Sequence, residues 1–213
     1  MSNTMDKLLA LIAEIGDEED ILVRLKCATW SGTSLRLQLA VSELNSEVDS
    51  EPGIWDVRCE DVLKYVLSSE YAHWIELADD HPLLWDFKHE SASAFFYEAP
   101  ANPEAAVGAL YEAHQKAVGS WINFGRHLNI SPGLSKLLAA GNGLLASGPV
   151  PLLTLYKETL GSHGVEVDIR FAHPPKVWDG NNWRELEREN NTKALILGSS
   201  YVIGNGWAAQ QKS

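Results

Sequence analysis

The residues most able to do chemistry form a short acidic cluster, Asp79-Asp80-His81, which Pro82 follows directly. Two carboxylates beside an imidazole can act as an acid–base pair, as a hydrolase-type enzyme requires. The same residues are also typical of a turn between two strands, because proline fixes φ and aspartate side chains bind nearby backbone amides. We favour the turn, so Asp79, Asp80 and His81 are candidate catalytic residues only if the protein is an enzyme.

Patterns that would hold a metal or a cofactor are not assembled. The seven histidines include no pair at the HxxxH or HxH spacing that places two imidazoles on one metal ion, and Cys27 and Cys59 lie far apart. Residues 141–146 match a dinucleotide-binding string, but Pro149 and Pro151 interrupt the helix that must follow it. The sequence therefore predicts neither a metal site nor a bound cofactor.

His114 lies on the apolar face of a predicted helix, among Leu110, Val118 and Trp121. A histidine in such a place is typically part of the core, with its ring bonded to a backbone carbonyl or to a tyrosine. The alternative is a base that faces a cavity beside the sheet. We therefore include His114 among the candidate binding residues and keep core packing as the other interpretation.

Tryptophan is frequent, with eight in 213 residues. It offers a large, rigid contact area with one polar group, which suits both cores and binding surfaces. Trp85 lies in a predicted strand that could contribute to an aromatic groove, whereas Trp178 and Trp183 flank a predicted exposed turn. Because such turn positions are hard to bury, Trp178 and Trp183 are the main candidates for a binding surface, and Trp85 is a further one.

Alternating apolar and polar residues predict the elements that must position these side chains. Residues 21–27 and 35–41 alternate with period two and are joined by a short polar connection, which indicates an antiparallel hairpin with one wet face. Further strand candidates follow at 53–59, 62–68, 72–77, 83–88 and 93–98. Residues 20–98 together predict an antiparallel sheet bent into a sandwich or a partly closed barrel.

Helical periodicity predicts a short helix at 4–16 and a long one at 102–128 that would cover the sheet. Beyond it, glycines and prolines separate two helices at 133–140 and 151–161, a strand at 165–171, and a last hairpin at 193–198 and 200–208. The sequence thus predicts an α+β protein, with an N-terminal sheet domain at 1–130 and a smaller helix-and-strand domain at 131–213.

The formal net charge is −12, and residues 1–100 contain 20 acidic residues against 7 lysines and arginines. We therefore expect the wet face of the N-terminal sheet to be negatively charged. Such a face repels phosphate backbones, so direct nucleic-acid binding is not expected. A cationic partner, or mimicry of a nucleic acid by the carboxylates of residues 43–61, is an alternative use of this charge.

No apolar run approaches the roughly 18 residues of a membrane helix, and the first residues lack the pattern of a signal peptide, so we expect a cytoplasmic address and no membrane association. Pairing of sheet edges between copies would make a homo-oligomer. Because no catalytic motif is assembled and tryptophan is abundant, the sequence favours a non-catalytic binding or protein-interaction protein, whose partner is a protein or a small molecule. The alternative is the hydrolase-type enzyme that uses Asp79, Asp80 and His81.

Overall fold

The structure is a computed structural model that describes residues 4–15, 21–43, 53–178, 180–187 and 191–212. The chain forms two compact units, one from Met1–His81 together with Asn191–Ser213 and the other from Pro82–Asn190. This division differs from the limits of 1–130 and 131–213 that the sequence suggested. The reason is that the last strands of the chain pair with strands from its first eighty residues.

The described helices and strands are numbered in chain order. The helices are α1 (Thr4–Ile15), α2 (Trp85–Lys88), α3 (Pro103–Val118), α4 (Leu134–Ala139) and α5 (Val150–Gly161). The strands are β1 (Ile21–Ser31), β2 (Ser34–Glu43), β3 (Gly53–Glu60), β4 (Lys64–Val66), β5 (Tyr71–Ala72), β6 (Ile75–Ala78), β7 (Ser91–Tyr97), β8 (Asn142–Pro149), β9 (Glu166–His173), β10 (Lys176–Trp178), β11 (Trp183–Glu185), β12 (Lys193–Leu197), β13 (Ser200–Gly204) and β14 (Gly206–Gln211). The strand pairings are antiparallel.

The first unit contains two antiparallel sheets. The larger has the order β14-β3-β2-β1-β5 and the smaller the order β4-β13-β12-β6. The predicted hairpin is confirmed, since β1 pairs with β2 and Leu25 lies opposite Leu39. Apolar residues of β2 alternate into the core, where they pack with Met5 and Leu8 of α1, while Arg36 and Gln38 between them face outward. Period two in the sequence thus becomes one apolar and one polar face.

In the second unit, α2, α4 and α5 contact a sheet of order β8-β7-β9. Its core contains Phe96 of β7, Leu110 of α3 and Tyr156 of α5. The strand predicted at 83–88 is wrong, because Pro82–Leu84 form a 3-10 turn that leads into α2. The strand predicted at 93–98 is present as β7, but it belongs to this sheet and not to the N-terminal one.

The long helix ends earlier than the sequence suggested. Asn102 caps α3 as predicted, since its side-chain oxygen accepts a hydrogen bond from the amide of Ala105 at 3.0 Å. At the other end Gly119 has a φ of 55°, which glycine adopts without strain and which stops the helix ten residues before position 128. α3 packs against α4 and α5, and the prediction of a long helix covering the N-terminal sheet is not confirmed.

The C-terminal elements largely follow the sequence pattern, with one strand added. The helices α4 and α5 lie where two short helices were predicted, and β10 and β11 flank the predicted turn. β8 was missed, because Gly143, Gly148 and Pro149 within it are typical of a connection. The protein is therefore α+β with antiparallel sheets. Within the described residues each sheet ends in two edge strands, and none closes into a barrel.

Candidate functional site

The predicted acidic cluster forms a bend that follows β6 in the first unit. The carboxylate of Asp79 lies 4.0 Å from the Lys193 amine, and its side chain is 73% exposed. Burial lowers the pKa of His81, while the charges of Glu76 and Asp80 act in the opposite direction. The backbone of the segment is bent, as the interpretation of a turn requires. The use of these residues in catalysis stays a prediction.

His114 is completely buried in the core of the second unit. Its Nδ1 lies 2.8 Å from the Tyr156 hydroxyl, and its Nε2 lies 2.6 Å from the carbonyl oxygen of Ile122. Because a carbonyl only accepts, Nε2 donates to Ile122 and the Tyr156 hydroxyl donates to Nδ1. Burial also raises the pKa of Tyr156, which keeps this hydroxyl protonated. These contacts match the core-histidine interpretation.

The predicted binding tryptophans differ in exposure. Trp85 is partly buried against the core of the second unit. Trp178 and Trp183 lie directly opposite each other on β10 and β11, with ring centroids 5.7 Å apart. The two residues are 55% and 66% exposed, so more than half of the surface of each remains accessible although the pair stabilises the ribbon.

A cleft in the second unit lies where the strands of its sheet begin and end. Ser91, the first residue of β7, pairs with Pro149 of β8 on one side and with His173 of β9 on the other. Trp183 lines the same cavity, which has a volume of about 410 Å³ and so falls within the range of small-molecule sites. We call this cavity the strand-end cleft.

An ion network forms one wall of the strand-end cleft. Asp86 of α2 accepts a hydrogen bond from the Arg126 guanidinium at 2.5 Å, and its other oxygen lies 3.6 Å from Nε2 of His127. Nδ1 of His127 lies 3.1 Å from the carbonyl oxygen of Ser147 and donates to it. Nε2 is then an acceptor, and this buried atom has no hydrogen-bond partner among the residues that the structure describes.

His127 is packed against a glycine that cannot gain a side chain without displacing the ring. A Cβ at Gly148 would lie 2.4 Å from Nδ1 and 2.8 Å from Cγ of His127. The His127 side chain is only 9% exposed. Burial lowers its pKa, an effect that the Asp86 carboxylate opposes. The local fold therefore holds a neutral imidazole in a fixed orientation beside Asp86.

The remaining polar lining of the cleft combines cationic side chains with imidazole rings. His89, His173 and Lys176 line it together with Arg126 and His127. The Lys176 amine is 3.5 Å from Glu185 on the adjacent strand. Among the described residues that line the cleft, Asp86 is the one carboxylate. The Arg126 guanidinium and the Lys176 ammonium therefore line the cleft together with a single carboxylate among its described residues.

A larger cavity, of about 630 Å³, lies on the outward face of the larger sheet in the first unit. Asp56 is at its centre, where it accepts hydrogen bonds from Arg36 and from Gln38 and lies 3.5 Å from the Lys212 amine. The hydrogen bond from Arg36 is the main reason that the pKa of Asp56 is lowered. We call this surface the ion-paired face.

The ion-paired face corrects the expectation of a negatively charged wet side. Its two carboxylates, Asp56 and Glu60, stand among three cations, since Arg58 pairs with Glu60 at 3.2 Å while Arg36 and Lys212 share Asp56. The acidic excess of the first hundred residues lies elsewhere, partly in connections outside the described residues. Composition therefore did not indicate the sign of this face.

No group of three or more histidine, cysteine, aspartate or glutamate side chains in the described part of the chain is arranged to hold a metal ion. None of the described helices is long and apolar enough to cross a bilayer.

Sequence reasoning missed the residues that form the strand-end cleft. Arg126 and His127 fall at the end of the helix predicted at 102–128, whereas the helix of the structure ends at residue 118. His173 was not singled out. The sequence signal for this cleft was the pair Asp86 and His89, which follows the acidic cluster. Most of the residues that line the cleft with this pair lie far along the chain, at positions 126–183. Of the predicted binding residues, Trp183 is the one that lines the cleft.

The chain matches no protein-family model, no curated protein and no solved structure at a significant level of similarity.

Proposed function

We propose that the protein is a non-catalytic binding protein whose second unit holds a small molecule in the strand-end cleft. The observation that carries this proposal is Trp183, which lines the cleft and leaves two thirds of its surface exposed. The Trp178 ring contacts the Trp183 ring from the opposite strand, so the Trp183 indole is held in place before a ligand binds. Aromatic surfaces held in this way favour contact with a flat or apolar group.

The floor of the cleft supports the same function. Ser91, Pro149 and His173 come from three paired strands, so their relative positions are fixed by the sheet and not by a loop. Binding groups that are preorganised in this way lose little conformational entropy when a ligand arrives. The hydrolase alternative depends on Asp79, Asp80 and His81, and the Asp79 side chain is 73% exposed on a bend.

The test is a nuclear magnetic resonance titration of the full chain with ¹⁵N-labelled tryptophan, which gives one indole N–H signal for each of eight residues. The probes are phenyl phosphate, benzoate and benzyl alcohol. We expect at least one of them to shift the Trp183 and Trp178 signals saturably, and Trp183→Ala to abolish the binding.

Trp30→Ala is the matched control, because Trp30 is also about half exposed and also pairs with an aromatic ring, that of Tyr65 in the first unit. Binding should survive this change. The proposal is wrong if none of the three probes shifts the Trp183 signal, or if binding persists in Trp183→Ala.

A further inference from the structure

We propose that the ligand of the strand-end cleft carries an anionic group, a phosphate or a carboxylate, that is bound by Arg126 and Lys176. The proposal rests on the function proposed above and adds the chemical class of the ligand. It is carried by the donors and acceptors that line the cleft.

Arg126 is positioned to bind an anion. The Asp86 carboxylate holds one of its terminal nitrogens at 2.5 Å, and the side chain remains 39% exposed. A guanidinium has five N–H donors in one plane, so the contact with Asp86 orients the group without using all of its donors. Phosphate and carboxylate oxygens fit such a donor set in pairs.

The rest of the lining also favours an acceptor-rich ligand. Lys176 presents an ammonium that is 41% exposed on its side chain and only loosely paired with Glu185. Asp86, the one carboxylate among the described lining residues, is already engaged by Arg126. In a protein with a net charge of −12, this pair of cations is a local feature that gives an anion a specific place to bind.

Neutral acceptors satisfy the same donors less well. A hydrogen bond to a charged group contributes more than one between neutral groups, and the difference is about ten-fold in affinity or more. Trp183 would contact the flat part of the ligand while Arg126 and Lys176 take its charged end. The ligand class is therefore a small aromatic or otherwise flat anion.

The experiment compares three probes that share a phenyl ring. Phenyl phosphate and benzoate should bind at least about ten-fold more tightly than benzyl alcohol, and sodium chloride should weaken only the two anions. Arg126→Gln should remove most of the preference. Lys176→Gln should also reduce the preference for the anions. Because Lys176 is exposed, this variant provides the test if Arg126→Gln melts at a lower temperature than the parent.

Arg58→Gln is the control, since Arg58 is also ion-paired and exposed but lies on the ion-paired face. It should leave all three dissociation constants unchanged. Equal affinities for the three probes would overturn the inference while leaving the proposed function intact, and binding of none would overturn both. A preference for phenyl phosphate over benzoate, or the reverse, supports the inference and identifies the anionic group.

Discussion

The ion-paired face and the strand-end cleft both combine a cavity with charged side chains, but they satisfy those charges differently. On the ion-paired face, Asp56 is shared by Arg36, Gln38 and Lys212. In the cleft, Nε2 of His127 is buried 3.6 Å from Asp86, and no residue in the described part of the chain forms a hydrogen bond with it. The charged groups at the larger cavity thus pair with one another, whereas the smaller cavity has a buried acceptor that no described residue satisfies.

The difference shows that cavity volume alone does not identify a site. A network whose members satisfy one another stabilises the sheet that carries it and has little to gain from a ligand. A buried acceptor without a partner is unfavourable by about 1–3 kcal/mol, and such groups in native proteins commonly have a functional reason. We therefore expect changes in the cleft to have larger effects than changes on the ion-paired face.

The largest effect should come from Gly148→Ala, which we expect to lower the free energy of unfolding by about 1–3 kcal/mol. The new Cβ would clash with the His127 ring, which the hydrogen bond to Ser147 holds in place. Urea denaturation measures the loss. In a His127→Ala background the same substitution should be much less destabilising, because the clashing ring is absent.

Gly161→Ala is the control for this prediction, because a Cβ there meets nothing within 4 Å. It should change stability little. If Gly148→Ala destabilised the parent and the His127→Ala variant equally, the ring would not be the cause, and the fixed orientation of His127 would be disproved.

A smaller effect should appear in the pH dependence of stability. Because burial lowers the pKa of His127 in the folded state, the unfolded chain binds a proton more readily, and stability falls as pH drops below about 6.5. His127→Gln removes this proton uptake. The decline in melting temperature between pH 7.5 and 5.5 should therefore be shallower in the variant than in the parent.

His81→Gln provides the comparison, since burial also lowers the pKa of His81. Each change should flatten the acid side of the profile, and the two should be additive because each residue lies in a different unit. A His127→Gln profile parallel to that of the parent would show that His127 does not lose proton affinity on folding.

The smallest effect is expected on the ion-paired face. Asp56→Asn should lower the melting temperature at pH 7 by at most about 3 °C, because its partner Arg36 is exposed and such pairs contribute little. Since the folded state lowers the pKa of Asp56, its contribution is present above pH 4 and is lost as the carboxylate becomes protonated.

The difference in melting temperature between Asp56→Asn and the parent should accordingly shrink as the pH is lowered below about 4, when melting is followed by circular dichroism. Glu60→Gln, which affects only the exposed pair with Arg58, serves as the control and should change the melting temperature less. A larger loss from Asp56→Asn than from Gly148→Ala would reverse the ranking of the two regions.

Local patterns predicted the elements that alternate clearly. The β1–β2 hairpin follows from period two, and the ribbon that carries Trp178 and Trp183 follows from a turn sequence that favours positive φ. For residues 83–88 the sequence predicted the two-residue period of a strand, whereas these residues form helical turns. Their apolar side chains suit a strand as well as a helical turn, and Leu84 and Phe87 are buried on the helical spacing.

The cleft could not be predicted in the same way, because its residues are far apart in sequence. Ser91 meets Pro149 and His173 only through the pairing of β7 with β8 and β9, and β8 contains residues that usually mark a connection. Arg126 and His127 were placed in a helix that Gly119 ends earlier. Tertiary pairing, which periodicity does not contain, brings these groups together.

The two-segment construction of the first unit has a consequence for biosynthesis. β12 and β13 occupy the middle of the smaller sheet, and β14 borders β3 in the larger one, so the ribosome delivers these strands only after all of residues 82–190 have been made. The second unit has its complete sequence by then and can fold first. Until β12, β13 and β14 have been made, the nascent N-terminal strands keep edges without these neighbours, which is a period of vulnerability to aggregation and to chaperone capture.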